Sequence, residues 1–271
     1  MTLHSPGPVL RDYVLAELDA ARGALGHRGS HLHAGVHRAR KAIRRIRAAL
    51  TLTEAALDHD GARVERALRR INRDLCGLRD AHALVETLDR FLPLTRDRET
   101  RRLLRRSRRV AARHRARFCR SNRQLRSMDE ARAELKALRA VVAALDWECI
   151  RATMLAVTLE AAEMRMAAAC TQALSTDTDA DWHRWRRRIR TRLQQQRACA
   201  LAGVGAGISL YDQSLAVQMG AMQDLSLLLA RCGHGSMFSK PDRKQLQRFA
   251  EAALVRQRER IASVVRLTAA G

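Results

Sequence analysis

Apolar residues recur along this chain at steps of three and four, the spacing that places side chains on one face of a helix. Leu10, Val14, Leu18 and Leu25 form such a stripe after Ser5 and Pro6, which predicts a helix from Pro8 to about Gly26. Val36, Ala39, Ile43, Ile46 and Leu50 mark a second from about His33 to Leu57. A third is expected from Gly61 to about Leu92, where Pro93 stops it, followed by Thr95–Leu125, Asp129–Leu145 and Glu148–Leu174. The run Ser175 to Asp181 reads as a loop and N-cap before a helix from Trp182 to Leu201. Gly203, Gly205 and Gly207 mark a break, and helices Leu210–Cys232 and Pro241–Leu267 complete the set around a loop from Gly233 to Lys240. Helical periodicity covers most of the sequence, so the expected fold class is all-α.

Composition agrees. The 271 residues are 46% hydrophobic but only 3% aromatic, and Ala, Leu, Arg and Glu, all good helix formers, dominate. A chain of this size can bury a core without disulfide or metal staples. The six cysteines are widely spaced and form no C-x-x-C pair, so they read as free thiols in a reducing cytoplasm. No apolar run is long enough for a membrane span, and Met1 to Val9 does not have the form of a signal peptide.

Charge changes the picture. Lys plus Arg number 51 against 28 Asp plus Glu, a formal net charge of +23, which points to a polyanionic partner. Only Lys41, Lys136, Lys240 and Lys244 are lysines. Codon usage in a G+C-rich genome would also give this bias, but arginine's planar fork suits phosphate oxygens in either case.

The charges are ordered. One position after the apolar stripe of the second helix lie His37, Arg40, Arg44 and Arg47, flanked by Lys41 and Arg45. One position before the stripe Leu103, Ser107, Val110, His114 and Phe118 lie Arg102, Arg106, Arg109, Arg113 and Arg117. Between Arg101 and Arg126 there are 12 arginines and no acid, so this helix lacks the acidic partners that usually intersperse a solvated face. Such a line is destabilising unless a polyanion or counter-ions lie beside it.

The first basic block returns. Trp182, Trp185 and Ile189 are followed one position later by His183, Arg186 and Arg190, with Arg187 matching Lys41. Leu75-Cys76-Gly77-Leu78-Arg79-Asp80 matches Met219-Gly220-Ala221-Met222-Gln223-Asp224, and the His-to-Asp separations are 43 and 41 residues. Two ordered matches at nearly one offset imply an internal duplication, with an N-terminal half of about 8–145 and a C-terminal half of about 146–271. Asp80 and Asp224 read as groups that orient arginines or cap helices.

Other chemistry is weakly represented. His33 and His37 stand at i,i+4 with His31 nearby, but no carboxylate joins them, so no metal or cofactor is assigned. The glycine run lacks the Lys-Ser/Thr of a P-loop. The arginine-rich helices hold no carboxylate cluster of the kind metal-assisted phosphoanhydride hydrolysis needs, and no catalytic residue is assigned. Non-specific nucleic-acid binding would use the same charges, although nine aromatics leave little for base stacking.

At these residues the chain resembles the CHAD family, named for its conserved histidine α-helical domain. The family's first signature, V-H-x-x-R-[VK]-x-x-R-R-[LI]-R-x-x-L, is met by Val36-His37-Arg38-Ala39-Arg40-Lys41-Ala42-Ile43-Arg44-Arg45-Ile46-Arg47-Ala48-Ala49-Leu50. Its R-D element falls on Arg79-Asp80, its second H-x-x-R signature on His183, Arg186, Arg187 and Arg190, and its Q-D element on Gln223-Asp224. The chain departs where L-R-Y is usual and Arg192-Leu193-Gln194 stands instead. That makes Arg192 and Arg197 the candidate substitutes and the first motif the stronger binder. Cys76 also stands where glycine is common.

The resemblance implies one CHAD domain across 1–271, built as two pseudo-symmetric four-helix-bundle halves around a basic groove or pore. It further implies non-enzymatic binding of inorganic polyphosphate and association with polyphosphate granules. Relatives fused to a catalytic CYTH domain make a polyphosphate-metabolising enzyme a further expected partner, with this chain as its regulatory subunit as an alternative role. No CYTH signature precedes the helices here.

Overall fold

The structure, a computed structural model, describes residues 5–205, 207 and 210–270, apart from the side chains at 122–124, 210, 269 and 270. Residues 1–4 of the N-terminal segment and 206 of the glycine run, both read above, lie outside the described residues. The described residues form ten α-helices and no strand: α1 (Pro6–Ala24), α2 (Leu32–Leu52), α3 (Glu54–Asp74), α4 (Cys76–Leu94), α5 (Arg98–Cys119), α6 (Asn122–Ala143), α7 (Ala152–Thr176), α8 (Asp179–Leu201), α9 (Leu210–Arg231) and α10 (Lys240–Ala270). The all-α expectation holds. Where one helix from Gly61 to Leu92 was expected there are two, separated at Leu75, and α2 stops at Leu52, short of Leu57.

The chain divides into two compact units, Met1–Cys76 with Arg126–Gln213, and Gly77–Leu125 with Ser214–Gly271. The first unit holds α1, α2 and α3 together with α6, α7 and α8; the second holds α4 and α5 together with α9 and α10. The helices matched by the internal repeat, α2 with α8 and α4 with α9, thus fall pairwise into the same unit.

In the first unit α1 packs on α2, α7 on α8, and α2 on α8. Leu10, Val14 and Leu18 of α1, Val36, Ile43, Ile46 and Leu50 of α2, and Trp182, Trp185 and Ile189 of α8 are all buried. Gly35 sets the α1–α2 approach, because a Cβ there would stand 2.3 Å from the Ala24 carbonyl oxygen. Thr178 fixes the start of α8: its hydroxyl accepts from the Asp181 N–H at 3.2 Å and donates to the Asp181 carboxylate at 2.6 Å. The Thr178 and Thr176 hydroxyls hold the Asp181 carboxyl below its usual range.

In the second unit Leu84, Val85 and Leu88 of α4 join Leu103, Leu104 and Ala111 of α5, Leu228 of α9, and Leu246 and Ala250 of α10 in one apolar core. Phe91 and Phe249 meet edge to face at 5.4 Å beside it. Asp97 caps α5, accepting from the Thr100 N–H at 2.7 Å, with Glu99 in the first turn. These acids precede the arginine run and leave the rest of the helix purely basic. After α8 the chain turns at Gly203 and Gly205, whose φ values of 73° and 77° are left-handed.

Candidate polyanion-binding surfaces

The packing of α2 on α8 brings the two helices of the repeated His/Arg block together within the first unit. Their cations do not have one role. On α2, Arg40 Nη1 donates to the Asn72 carbonyl oxygen in the last turn of α3 and to Cys76 Sγ at 3.2 Å. A guanidinium at a helix C-terminus satisfies an orphan carbonyl and complements the macrodipole. Arg45 pairs with Glu17 of α1 at 2.7 Å, and Arg47 grips Glu65 of α3 through Nε at 2.9 Å and Nη2 at 2.7 Å. Three of the block's cations therefore tie α2 to its neighbours.

Between and beside them His37 and Lys41 are exposed and Arg44 is half-buried. Loss of hydration, then repulsion from Arg45, Arg197 and Arg44, pushes the Lys41 ammonium below its ordinary range. Arg197 of α8 thus shares one positive neighbourhood with α2, and it also donates to Gln194 Oε1 at 3.2 Å. Tyr13 of α1 lies in the same field; burial and Glu17 drive its phenol up to about 12, against the opposing pull of Arg45 and Arg197. A cleft of about 450 Å³ between α1 and α2 is lined by Glu17, His27, Arg38, Lys41 and Arg45.

On α8, His183 and Arg190 are half-buried, Arg186 is buried and Arg187 is exposed. Arg187 forms no ion pair with a described residue. Arg192, expected as a substitute for the missing family arginine, is 8% exposed and held by Glu163 at 2.9 Å and Asp212 at 3.0 Å. It is a strut within the first unit, joining α8 to Glu163 of α7 and to Asp212, and of the two candidate substitutes Arg197 stands in the basic neighbourhood.

The second unit carries the α5 arginines. Arg102, Arg106, Arg109, Arg113 and Arg117 are all exposed. Arg106 reaches Asp242 of α10 at 2.8 Å; Arg102, Arg109, Arg113 and Arg117 form no ion pair among the described residues. At 1.5 Å per residue they extend over roughly 22 Å of helix. The same helix uses Arg108 on Asp89 at 2.9 Å and Arg115 on His82 at 3.0 Å to bind α4. Burial and then Arg231 and Arg117 push the His114 imidazole below its usual range, toward the neutral ring.

Arg79 of α4 donates to Asp80 at 3.3 Å and to Asp224 of α9 at 3.0 Å. Asp224 also takes Arg90 at 3.3 Å. Arg90 was not singled out in the sequence, although its position eleven residues after Arg79 puts it on the same helical face. Tyr13, Glu17 and Glu65 carry no sequence signal, because their roles arise only when α1 and α3 pack against α2. Among the described residues no group of three or more His, Cys, Asp or Glu could hold a metal ion. No described helix is long and apolar enough to cross a membrane.

The CHAD domain family model matches residues 13–233, which include both His/Arg blocks and both Asp elements. The chain belongs to the CHAD family. Among the solved structures that share the fold are two of note. One is PptA from Streptomyces chartreusis, 21% identical, with a TM-score of 0.56 and coverage of 93% of this chain and 99% of that one. The other is the CHAD domain from the plant Ricinus communis, 18% identical, with a TM-score of 0.59 and coverage of 95% and 86%. No curated protein matches the chain in sequence. This CHAD domain therefore presents one basic surface on α2 and α8 of its first unit and a second on α5 of the other.

Proposed function

We propose that this CHAD protein binds inorganic polyphosphate without chemical turnover. The observation that carries the reading is the exposed line Arg102, Arg109, Arg113 and Arg117, four guanidinium groups on one helix face with no ion pair among the described residues. A stripe of like charge destabilises its own helix, and a chain of phosphates is a ligand of opposite charge that can run along it. Lys41, Arg44 and Arg197 beside Tyr13 offer a second cationic surface. Phosphates there would offset the repulsion that Lys41 meets from Arg45, Arg197 and Arg44.

The role is a holding one, in which arginine and lysine contacts set affinity, and the bound polymer would place the protein on polyphosphate granules in the cytoplasm. The six cysteines are free, which suits a reducing compartment. A competition titration tests the reading. With labelled DNA bound, long-chain polyphosphate displaces it at far lower phosphate concentration than DNA displaces polyphosphate. Equal displacement in both directions would make the protein a general polyanion binder, and preferential retention of DNA would make it a nucleic-acid-binding protein.

A further inference from the structure

α7 differs from every basic surface of the chain. Across Ala152–Thr176 it carries three charged residues, Glu160, Glu163 and Arg165, in a protein with a net charge of +23. Its inner side, with Leu155, Ala162, Ala169 and Ala173 buried, packs on α8. Its outer side is apolar and open: Val157 is 65% exposed and Met164 62%.

Two series of positions seven residues apart border this side, the first half-buried at Met154 and Ala161 and exposed at Ala168, the second exposed throughout. Met154, Ala161 and Ala168 form one, and Val157, Met164 and Thr171 the other, three positions later. This is the a and d pattern of a coiled-coil seam. Glu160 then occupies the g position on one flank and Arg165 the following e position on the other. Glu163, by contrast, turns back to Arg192 of its own chain at 2.9 Å, whereas neither Glu160 nor Arg165 pairs with a described residue.

We propose that α7 is a self-association surface, on which two copies of the chain pair their α7 helices in parallel about a two-fold axis, with Glu160 of each copy facing Arg165 of the other. A second copy fits better than an unrelated partner because the surface is self-complementary. In a parallel two-fold pair the g flank of one helix faces the e flank of the next heptad on the other, so both ion pairs form at once. In an antiparallel pair like flank would face like flank, and Glu160 would meet Glu160. The charge distribution selects the same surface: two copies carrying +23 each repel, and α7 is a 25-residue helix with an acidic balance where they can approach. The seam is short and half of its positions are Ala or Thr, so the association is weak and salt strengthens it by screening the rest of the molecule.

Sedimentation equilibrium of the full chain, with no polyanion present, tests this at low and moderate salt. The wild type forms dimers, more at moderate salt, and Met164→Glu remains monomeric. Glu160→Arg and Arg165→Glu each weaken dimerisation several-fold, and the double variant restores it. The two single variants change net charge in opposite directions, so a general charge effect would move them oppositely. All three positions are exposed, and circular dichroism verifies the fold; should Met164→Glu misfold, the charge-exchange series decides alone. A wild type that stays monomeric at both salts, or a double variant no better than the singles, overturns the proposal.

Discussion

The Arg79 guanidinium lies 3.0 Å from the Asp224 carboxylate, joining residues 145 positions apart on α4 and α9. Asp224 is 8% exposed and also takes Arg90, so it is the group around which two cations of the second unit are arranged. Asp224→Ala leaves both arginines without this anchor and should lower unfolding free energy by about 1–2 kcal/mol, in the range of charge-assisted bonds discounted for the exposure of Arg90. Urea denaturation checks this, and Asp224→Asn should recover part of the loss by keeping an acceptor oxygen.

Arg40 is both a motif residue and a structural one. Its bond to the Asn72 carbonyl caps α3, so Arg40→Ala should cost about 1–2 kcal/mol and lower Tm. Lys41→Ala, on the same helix but exposed, should leave Tm unchanged while weakening polyphosphate binding. Thermal melts beside calorimetric titrations separate the two roles.

Arg192 is locked between Glu163 and Asp212. Removing the buried cation strands the Asp212 carboxylate, while the exposed Glu163 is rehydrated, so Arg192→Ala should destabilise the chain by about 2–3 kcal/mol. Arg192→Leu, which fills the volume, should be milder. Neither should change polyphosphate affinity at temperatures where the protein stays folded, as filter binding can measure.

Tyr13 gives a pH prediction. Its folded-state phenol is raised from 10.0 to about 12, so the unfolded chain releases this proton first. The stabilisation is fully present below pH 10 and is lost as pH rises toward 12. Tyr13→Phe should remove that segment of the stability curve, and a difference titration of phenolate absorbance should show a tyrosine ionising near 12 in the wild type.

Much of this was legible in the sequence. The apolar steps of three and four gave the helices, since each buries one stripe, and the His/Arg blocks marked α2 and α8 before any packing was known. The break at Leu75 was not legible because the apolar pattern runs through it with no glycine at the cap and no proline. The interruption is held by Arg40, 32 residues from the Asn72 carbonyl. For the same reason the sequence could not separate the two kinds of arginine. Arg45 and Arg47 look like Arg44 along the chain, and only the arrival of Glu17 from α1 and Glu65 from α3 makes them struts. On α5 the absence of acids after Glu99 was informative, and of Arg102, Arg106, Arg109, Arg113 and Arg117 only Arg106 pairs with a carboxylate among the described residues.

The most direct test of the central claim replaces Arg102, Arg109, Arg113 and Arg117 together by glutamine and titrates wild type and variant with long-chain polyphosphate over a range of salt. Loss of charge-assisted contacts should weaken binding at least about tenfold. Each lost phosphate contact should also flatten the log–log salt dependence by about 0.7–0.9, taking nucleic acids as the guide. Helical circular dichroism should be unchanged, because these side chains are exposed. An affinity and salt slope equal to those of the wild type would contradict the assignment of this arginine line as the polyphosphate-binding surface.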